Sequence, residues 1–257
     1  MTTIIIAITA FLASLLTLFS GFGLGTLLMP VVAIFFPVAV AVAMTAFVHL
    51  LNNLFKLIVL WAKIDWATVL RFGVPAMIAT VPGALLLTQL SDLPAIHSYT
   101  VANVNASITP VKMTVGLLLV FFATMEWLPV FKKLNIPLKA LPIGGLLSGF
   151  FGGLSGHQGA FRSAFLIRAG LDKNQFVASN AAIAALVDIT RLVVYGLNIT
   201  LLMAQVNIGL LAAATVAAFL GVLVGTVGLK KVTIGFIQNL VAVTLYLLGV
   251  LLIAGLI

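Results

Sequence analysis

The residues best equipped for chemistry crowd into one stretch, Phe150–Arg168, FFGGLSGHQGAFRSAFLIR, which places four glycines, a histidine, a glutamine and two arginines in otherwise apolar sequence. Gly153 and Gly156 there, and Gly21, Gly23 and Gly25 in the earlier run SGFGLGTLLMP, lack a Cβ, so backbone can approach a ligand closely and adopt positive φ. A helix break inside a membrane frees N–H groups that protein, water or ligand must satisfy. A helix starting near His157 would present such groups together with the positive end of its dipole, which is an anion site. The competing role for these glycines is close helix packing, as expected of Gly221 and Gly225. Their density and the adjoining Ser155, His157 and Gln158 favour the site.

Arg162 lies within the apolar arm that follows. A charge at that depth costs about 2.5–3.5 kcal/mol and faces a cavity or a partner. Its guanidinium could clamp a sulfonate or sulfite in two-pronged fashion; the alternative is a side chain that snorkels to the cytoplasmic surface. His49, Asn52, Asn53 and Lys56 recur at spacings of three and four, so they line one helical stripe. Asp188 and Arg191, three apart, can pair within their own helix. That pair is either structural neutralisation or a proton-coupling site relayed by His49 or His157. His97 is expected in a solvated external loop, and Glu126 at an interfacial helix end.

Gly153–Gly156 also spells GLSG, the serine motif of rhomboid intramembrane proteases. Such an enzyme needs a histidine on a later helix as general base, and none follows His157. No catalytic residue, metal site or cofactor is therefore assigned.

The elements that must position these side chains are written in the composition. Of 257 residues 63% are hydrophobic and 7% charged, against about a quarter charged in an ordinary globular protein. The mean hydropathy is +1.31. These values describe a polytopic membrane protein. The net charge of +8 arises from lysines and arginines scattered singly between apolar runs, so it carries topology rather than nucleic-acid binding. Cysteine is absent, which removes disulfides and thiolate chemistry. The opening MTTIIIAITAFLASLL lacks the marks of a cleaved signal and is expected to be a first helix.

Apolar runs punctuated by Gly, Pro and charge predict segments at 3–19, 25–36, 38–61, 66–90 and 108–128, then 139–152, 157–170, 173–196, 204–229 and 233–256. The arms 139–152 and 157–170 are about 14 residues, roughly 21 Å of helix, too short to cross about 30 Å of hydrocarbon comfortably. Lys56, Lys63 and Arg71 flank one connection, Lys132, Lys133 and Lys139 another, Arg168 and Lys173 a third, Lys230 and Lys231 the last. The loops 91–107 and 197–205 carry no Lys or Arg. All basic loops fall on the cytoplasmic side if the Gly-rich segment of each half returns to the side it left. The two halves then have opposite orientation, an arrangement characteristic of secondary transporters. Between halves, Gly21 and Gly25 match Gly152 and Gly156, and Thr45, Asn53 and Lys56 fall opposite Asn180, Asp188 and Arg191.

GFGLGTLLMP, the central GFFGGLSGHQGAFRSAFLI and the duplicated unit resemble the sulfite exporter TauE/SafE family, also called the 4-toluene sulfonate uptake permeases. The resemblance covers essentially the whole chain. In many members the second motif is a glycine run ending in proline, whereas here Ser155, His157 and Gln158 interrupt it and Phe161 and Arg162 follow. The resemblance implies a transporter of a small, sulfur-containing anion such as sulfite or sulfoacetate.

The expectation is thus one all-α polytopic domain over residues 1–257. It comprises two inverted repeats, about 1–130 and 137–257, each a Gly-rich re-entrant or broken-helix hairpin plus three transmembrane helices. Gly21, Gly23, Gly25, His49, Asn52, Asn53, Gly153, Ser155, Gly156, His157, Gln158 and Arg162 would bind the anion. Function would be alternating-access transport in the cell (inner) membrane, with protons as a candidate coupling ion and a homo-oligomer allowed. A passive anion channel is the alternative, a rhomboid-like protease the remote one.

Overall fold

A computed structural model describes residues 1–17, 23–101, 104–128, 137–198, 207–228 and 234–257. Ten helices are found among them: α1 (Thr2–Thr17), α2 (Gly25–Val32), α3 (Val38–Leu60), α4 (Trp66–Asp92), α5 (Pro110–Trp127), α6 (Leu141–Ser155), α7 (Gly159–Leu166), α8 (Lys173–Asn198), α9 (Ile208–Gly228) and α10 (Ile234–Ile253). Five, including α3, α4, α8 and α9, are long and apolar enough to cross a membrane; α1, α5 and α10 carry shorter apolar stretches. Gly21, Lys132, Lys133, Lys230 and Lys231 lie outside the described residues, as does most of the loop 197–205.

Local chemistry starts several helices. Asp172 accepts from the backbone N–H of Asn174 and Gln175 at 2.8 and 2.9 Å, while Gln175 Oε1 accepts from Asp172 N–H, a reciprocal cap that opens α8. Thr109 caps α5 ahead of Pro110, and Asp65 caps α4 through Thr68 N–H at 2.9 Å.

The structure corrects one expectation and adds a detail to another. First, α6 does not stop at Gly152: with the 3-10 turn before it, the helix runs Leu138–Ser155 and is long enough to span. Gly152 and Gly153 stay helical, and the break comes at Gly156, whose φ is 79°. Second, the mostly helical fold carries one short β element. The expected external loop contains a β-hairpin, β1 (His97–Val101) against β2 (Val104–Ile108), antiparallel with His97 opposite Ile108. It docks on the end of α10 through Tyr99 Oη donating to Ala254 O at 2.6 Å and Ser107 N–H donating to Gly255 O at 3.0 Å.

Packing is inside-out relative to a soluble protein. Ile58, Leu117, Val193, Val216 and Leu247 are all more than half exposed, whereas Arg162, Asp188 and Arg191 are fully buried. Water would not tolerate that outer surface, and a bilayer would. The main helix pairs are α4 with α6, α1 with α9, α5 with α10, and α3 with α8; α8 also packs on α4 and α3 on α9. Glycines let backbones touch. A Cβ on Gly149 would meet Ala76 O at 2.0 Å, one on Gly83 would meet Phe150 O at 2.1 Å, and one on Gly221 would meet Phe11 O at 2.4 Å. Gly116 and Gly249 face each other's carbonyls across α5 and α10. Without a strong hydrophobic drive between helices in lipid, such close approach carries the association.

Candidate anion site

The two glycine turns meet in the interior. Gly23 has φ 85° and Gly156 φ 79°, both left-handed conformations that favour glycine. A Cβ on Gly25 would lie 3.8 Å from Gly156 O, and one on Gly156 would lie 3.0 Å from Arg191 Nη1. Beyond the turns start the two shortest helices, α2 and α7, of eight residues each, and neither has a side-chain N-cap. At the start of α2 the N–H groups of Thr26 and Leu27 close short turns onto Gly23 O and Leu24 O, each at 3.3 Å.

Polar side chains from four helices converge here. On α8, Asp188 accepts from His49 Nδ1 at 2.7 Å, from Arg191 Nε at 3.0 Å and from Gln158 Nε2 at 3.3 Å, and Arg191 Nη2 stands in ion-pair contact at 2.7 Å. The contact to Asp188 requires a proton on His49 Nδ1. Arg191 Nη1 also donates to Gly152 O at 3.3 Å, and Tyr195 Oη donates to Gly153 O, so α8 is tied to the last turn of α6 before its break. On α7, Arg162 Nε donates to Asn180 Oδ1 at 2.5 Å; its Nη2 lies 3.7 Å from where a Gly23 Cβ would be, and its Nη1 has no hydrogen-bond partner. On α3, Asn52 Oδ1 accepts from Ser14 Oγ at 3.2 Å, leaving Asn52 Nδ2 and Asn53 Nδ2 buried and unpartnered.

The charges do not balance. Among the described residues the buried ionisable side chains are Lys56, Arg162, Arg191, Asp188, His49, His157 and Tyr195. With both histidines and the tyrosine neutral, three cations stand against one carboxylate. Lys56 and Arg162 are close enough to repel each other, as are Arg162 and Arg191. A buried positive excess beside unpaired donors at Arg162, Asn52 and Asn53 is costly unless an anion joins it.

The structure sorts the residues singled out by sequence. Gly23, Gly25, Gly156, Gln158, His49 and Arg162 come together, and the stripe His49, Asn52, Asn53 and Lys56 is buried along its length. Arg162 does not snorkel: it is fully buried. Gly153 belongs elsewhere, because its missing Cβ faces Thr80 O at 2.3 Å and Ala84 N at 2.8 Å on α4, which makes it a packing glycine. Ser155 Oγ is turned to Phe151 O at 3.0 Å. His157 Nδ1 contacts Ser155 O at 2.9 Å and its ring stacks on Phe122, with centroids 6.0 Å apart. No serine–histidine dyad is built by that pair, since the histidine meets the Ser155 carbonyl rather than its hydroxyl. Asn180 and Tyr195 were missed as site residues. A lone asparagine eight residues before Asp188, on the same side of an apolar helix, was the available signal for Asn180.

The family model for the sulfite exporter TauE/SafE matches residues 6–252. The chain belongs to the TauE/SafE family. A search of the curated proteins found no match to it. Membership makes this TauE/SafE chain a multi-pass membrane transporter of a small anion. The buried positive cluster accords with that class of substrate.

Proposed function

We propose that the protein carries sulfite or a related organosulfonate across the cell membrane by alternating access, coupled to protons. The observation that carries this reading is the buried cluster of Lys56, Arg162 and Arg191 against the single Asp188, with Arg162 Nη1 and the Asn52 and Asn53 amides left without partners. A tetrahedral or pyramidal oxyanion offers several acceptor oxygens and the missing negative charge. Arg162 would clamp it, the Asn52 and Asn53 amides would orient it, and the N–H groups at the starts of α2 and α7 would add favourable dipoles.

Inverted repeats that rock about such a site are supported by the packing. Exchanging the halves turns the α1–α9 pair into α6–α4, and α3–α9 into α8–α4, while α3–α8 and α5–α10 map onto themselves. Gly83 on α4 meets Phe150 O just as Gly221 on α9 meets Phe11 O. Gly23 and Gly156, and Gly116 and Gly249, are equally spaced in sequence. A hairpin at α6–α7 is supported by contacts that step back along α6: Gly152 meets Gln158, Ser148 Oγ donates to Gln158 O at 3.0 Å, and Gly144 meets the Phe165 ring.

In vesicles loaded with unlabelled sulfite, uptake of labelled sulfite should saturate and show counterflow, both lost when the protein is omitted. Current proportional to driving force without counterflow would point to the channel instead. For topology, Lys173→Cys in the otherwise cysteine-free chain should react with a membrane-impermeant maleimide only from the cytoplasmic face. External labelling would refute the hairpin arrangement.

A further inference from the structure

Three ionisable groups in the interior could carry a coupling proton: Asp188, His157 and His49. Asp188 is engaged at both oxygens, with Arg191 and Gln158 on Oδ1 and His49 on Oδ2. A carboxylate so held serves to orient its neighbours. His157 has its Nδ1 on the Ser155 carbonyl and its ring stacked on Phe122. His49 differs from both. Its Nδ1 is fixed on Asp188, which aims the opposite nitrogen at the first glycine turn: Nε2 lies 2.8 Å, and Arg162 Nη2 3.7 Å, from the point a Gly23 Cβ would occupy. The two side chains thus both border the Gly23 backbone, and His49 Nε2 packs on it too closely for any side chain at that position.

We infer that His49 Nε2 is the atom that couples proton to anion, taking up one proton from water in the access path when an anion binds beside Arg162 and returning it when the anion leaves. The groups around His49 set the sign. Arg162 on α7 and Arg191 on α8 oppose a further positive charge; Asp188 on α8 favours one, and Gln158 is neutral. An anion beside Arg162 offsets these two cations and accepts a hydrogen bond from Nε2–H, so each ligand strengthens binding of the other, and by linkage the two effects are equal. Asp188 then holds the imidazole in one orientation through the cycle, as a carboxylate does behind a functional histidine. The inference rests on the anion site proposed above.

The test is calorimetry of methanesulfonate and of sulfite binding to the purified full chain, in buffers of different ionisation enthalpy, between about pH 5 and pH 8. Methanesulfonate stays ionised throughout, so proton uptake belongs to the protein. About one proton should be taken up per anion at the upper end of that range, with affinity falling about tenfold per pH unit there. His49→Asn, which keeps a donor toward Asp188, and His49→Gln should bind without this uptake and with a flattened pH profile. Uptake that persists in a folded His49 variant, or wild-type binding of methanesulfonate with no proton uptake, overturns the role of His49 and leaves the anion site standing. The wild-type measurement decides this even where a variant does not fold. If neither anion binds the wild type, the site itself is wrong and the inference falls with it.

Discussion

Arg162→Gln is expected to weaken sulfite binding by roughly 30-fold to a few thousand-fold, the equivalent of about 2–5 kcal/mol for loss of one buried, hydrogen-bonded charge partner. The guanidinium is fully buried, spends Nε on Asn180, and leaves Nη1 unpartnered beside the glycine turns. Glutamine can still donate to Asn180 Oδ1 and removes one of three mutually repelling buried cations, so insertion and folding should persist. Arg162→Lys restores charge without the planar fork and should fall between wild type and glutamine. Calorimetric titration of sulfite into the purified variants reads the effect. Affinity within a few-fold of wild type in Arg162→Gln would remove the residue from the site.

Asp188→Asn should lower stability by about 3–5 kcal/mol, because stripping the one anion from a buried ion cluster leaves its partners uncompensated. Here the partners are Arg191 at 2.7 Å and His49 at 2.7 Å, with Arg162 nearby. The thermal unfolding midpoint in detergent should fall accordingly. Adding Arg191→Gln removes the cation that lost its partner, and the double variant should recover part of the loss rather than sum two losses. Strict additivity would mean that Asp188 and Arg191 are not energetically joined, despite their contact.

Most of the helical framework was legible because apolar runs, prolines and basic residues mark where a chain can enter and leave a bilayer. All ten segments read from the sequence have a helix within them. Glycine was the ambiguous signal. Gly152 and Gly153 look like Gly156 in sequence, yet the first two lie within a helix, where Gly153 abuts α4, and only the third adopts positive φ. The difference lies in which backbone passes nearby, a tertiary fact. HSYTV was read as loop because it is polar and exposed; its pairing with β2 and docking on Gly255 come from partners far along the chain.

Within the site, local spacing was informative and long-range pairing was not. Three-and-four spacing identified the stripe of His49, Asn52, Asn53 and Lys56, and a spacing of three identified Asp188 with Arg191. The join between those two groups, His49 to Asp188, spans 139 residues, and Arg162 to Asn180 bridges two helices. Neither could be read from periodicity, which specifies a face but not what it meets. Whether Arg162 reached for the surface or stayed inside was likewise undecidable until α7 was placed against α8.

The central claim is that a small oxyanion rests between the Gly23 and Gly156 turns against Arg162. Crystals grown with selenite, the heavier analogue of sulfite, test it most directly, because anomalous scattering locates the selenium. A peak within hydrogen-bond reach of Arg162 Nη1, beside Gly23, is the expected result. Selenium found only at exposed basic residues such as Lys63 and Arg71, with none beside Arg162, would contradict it.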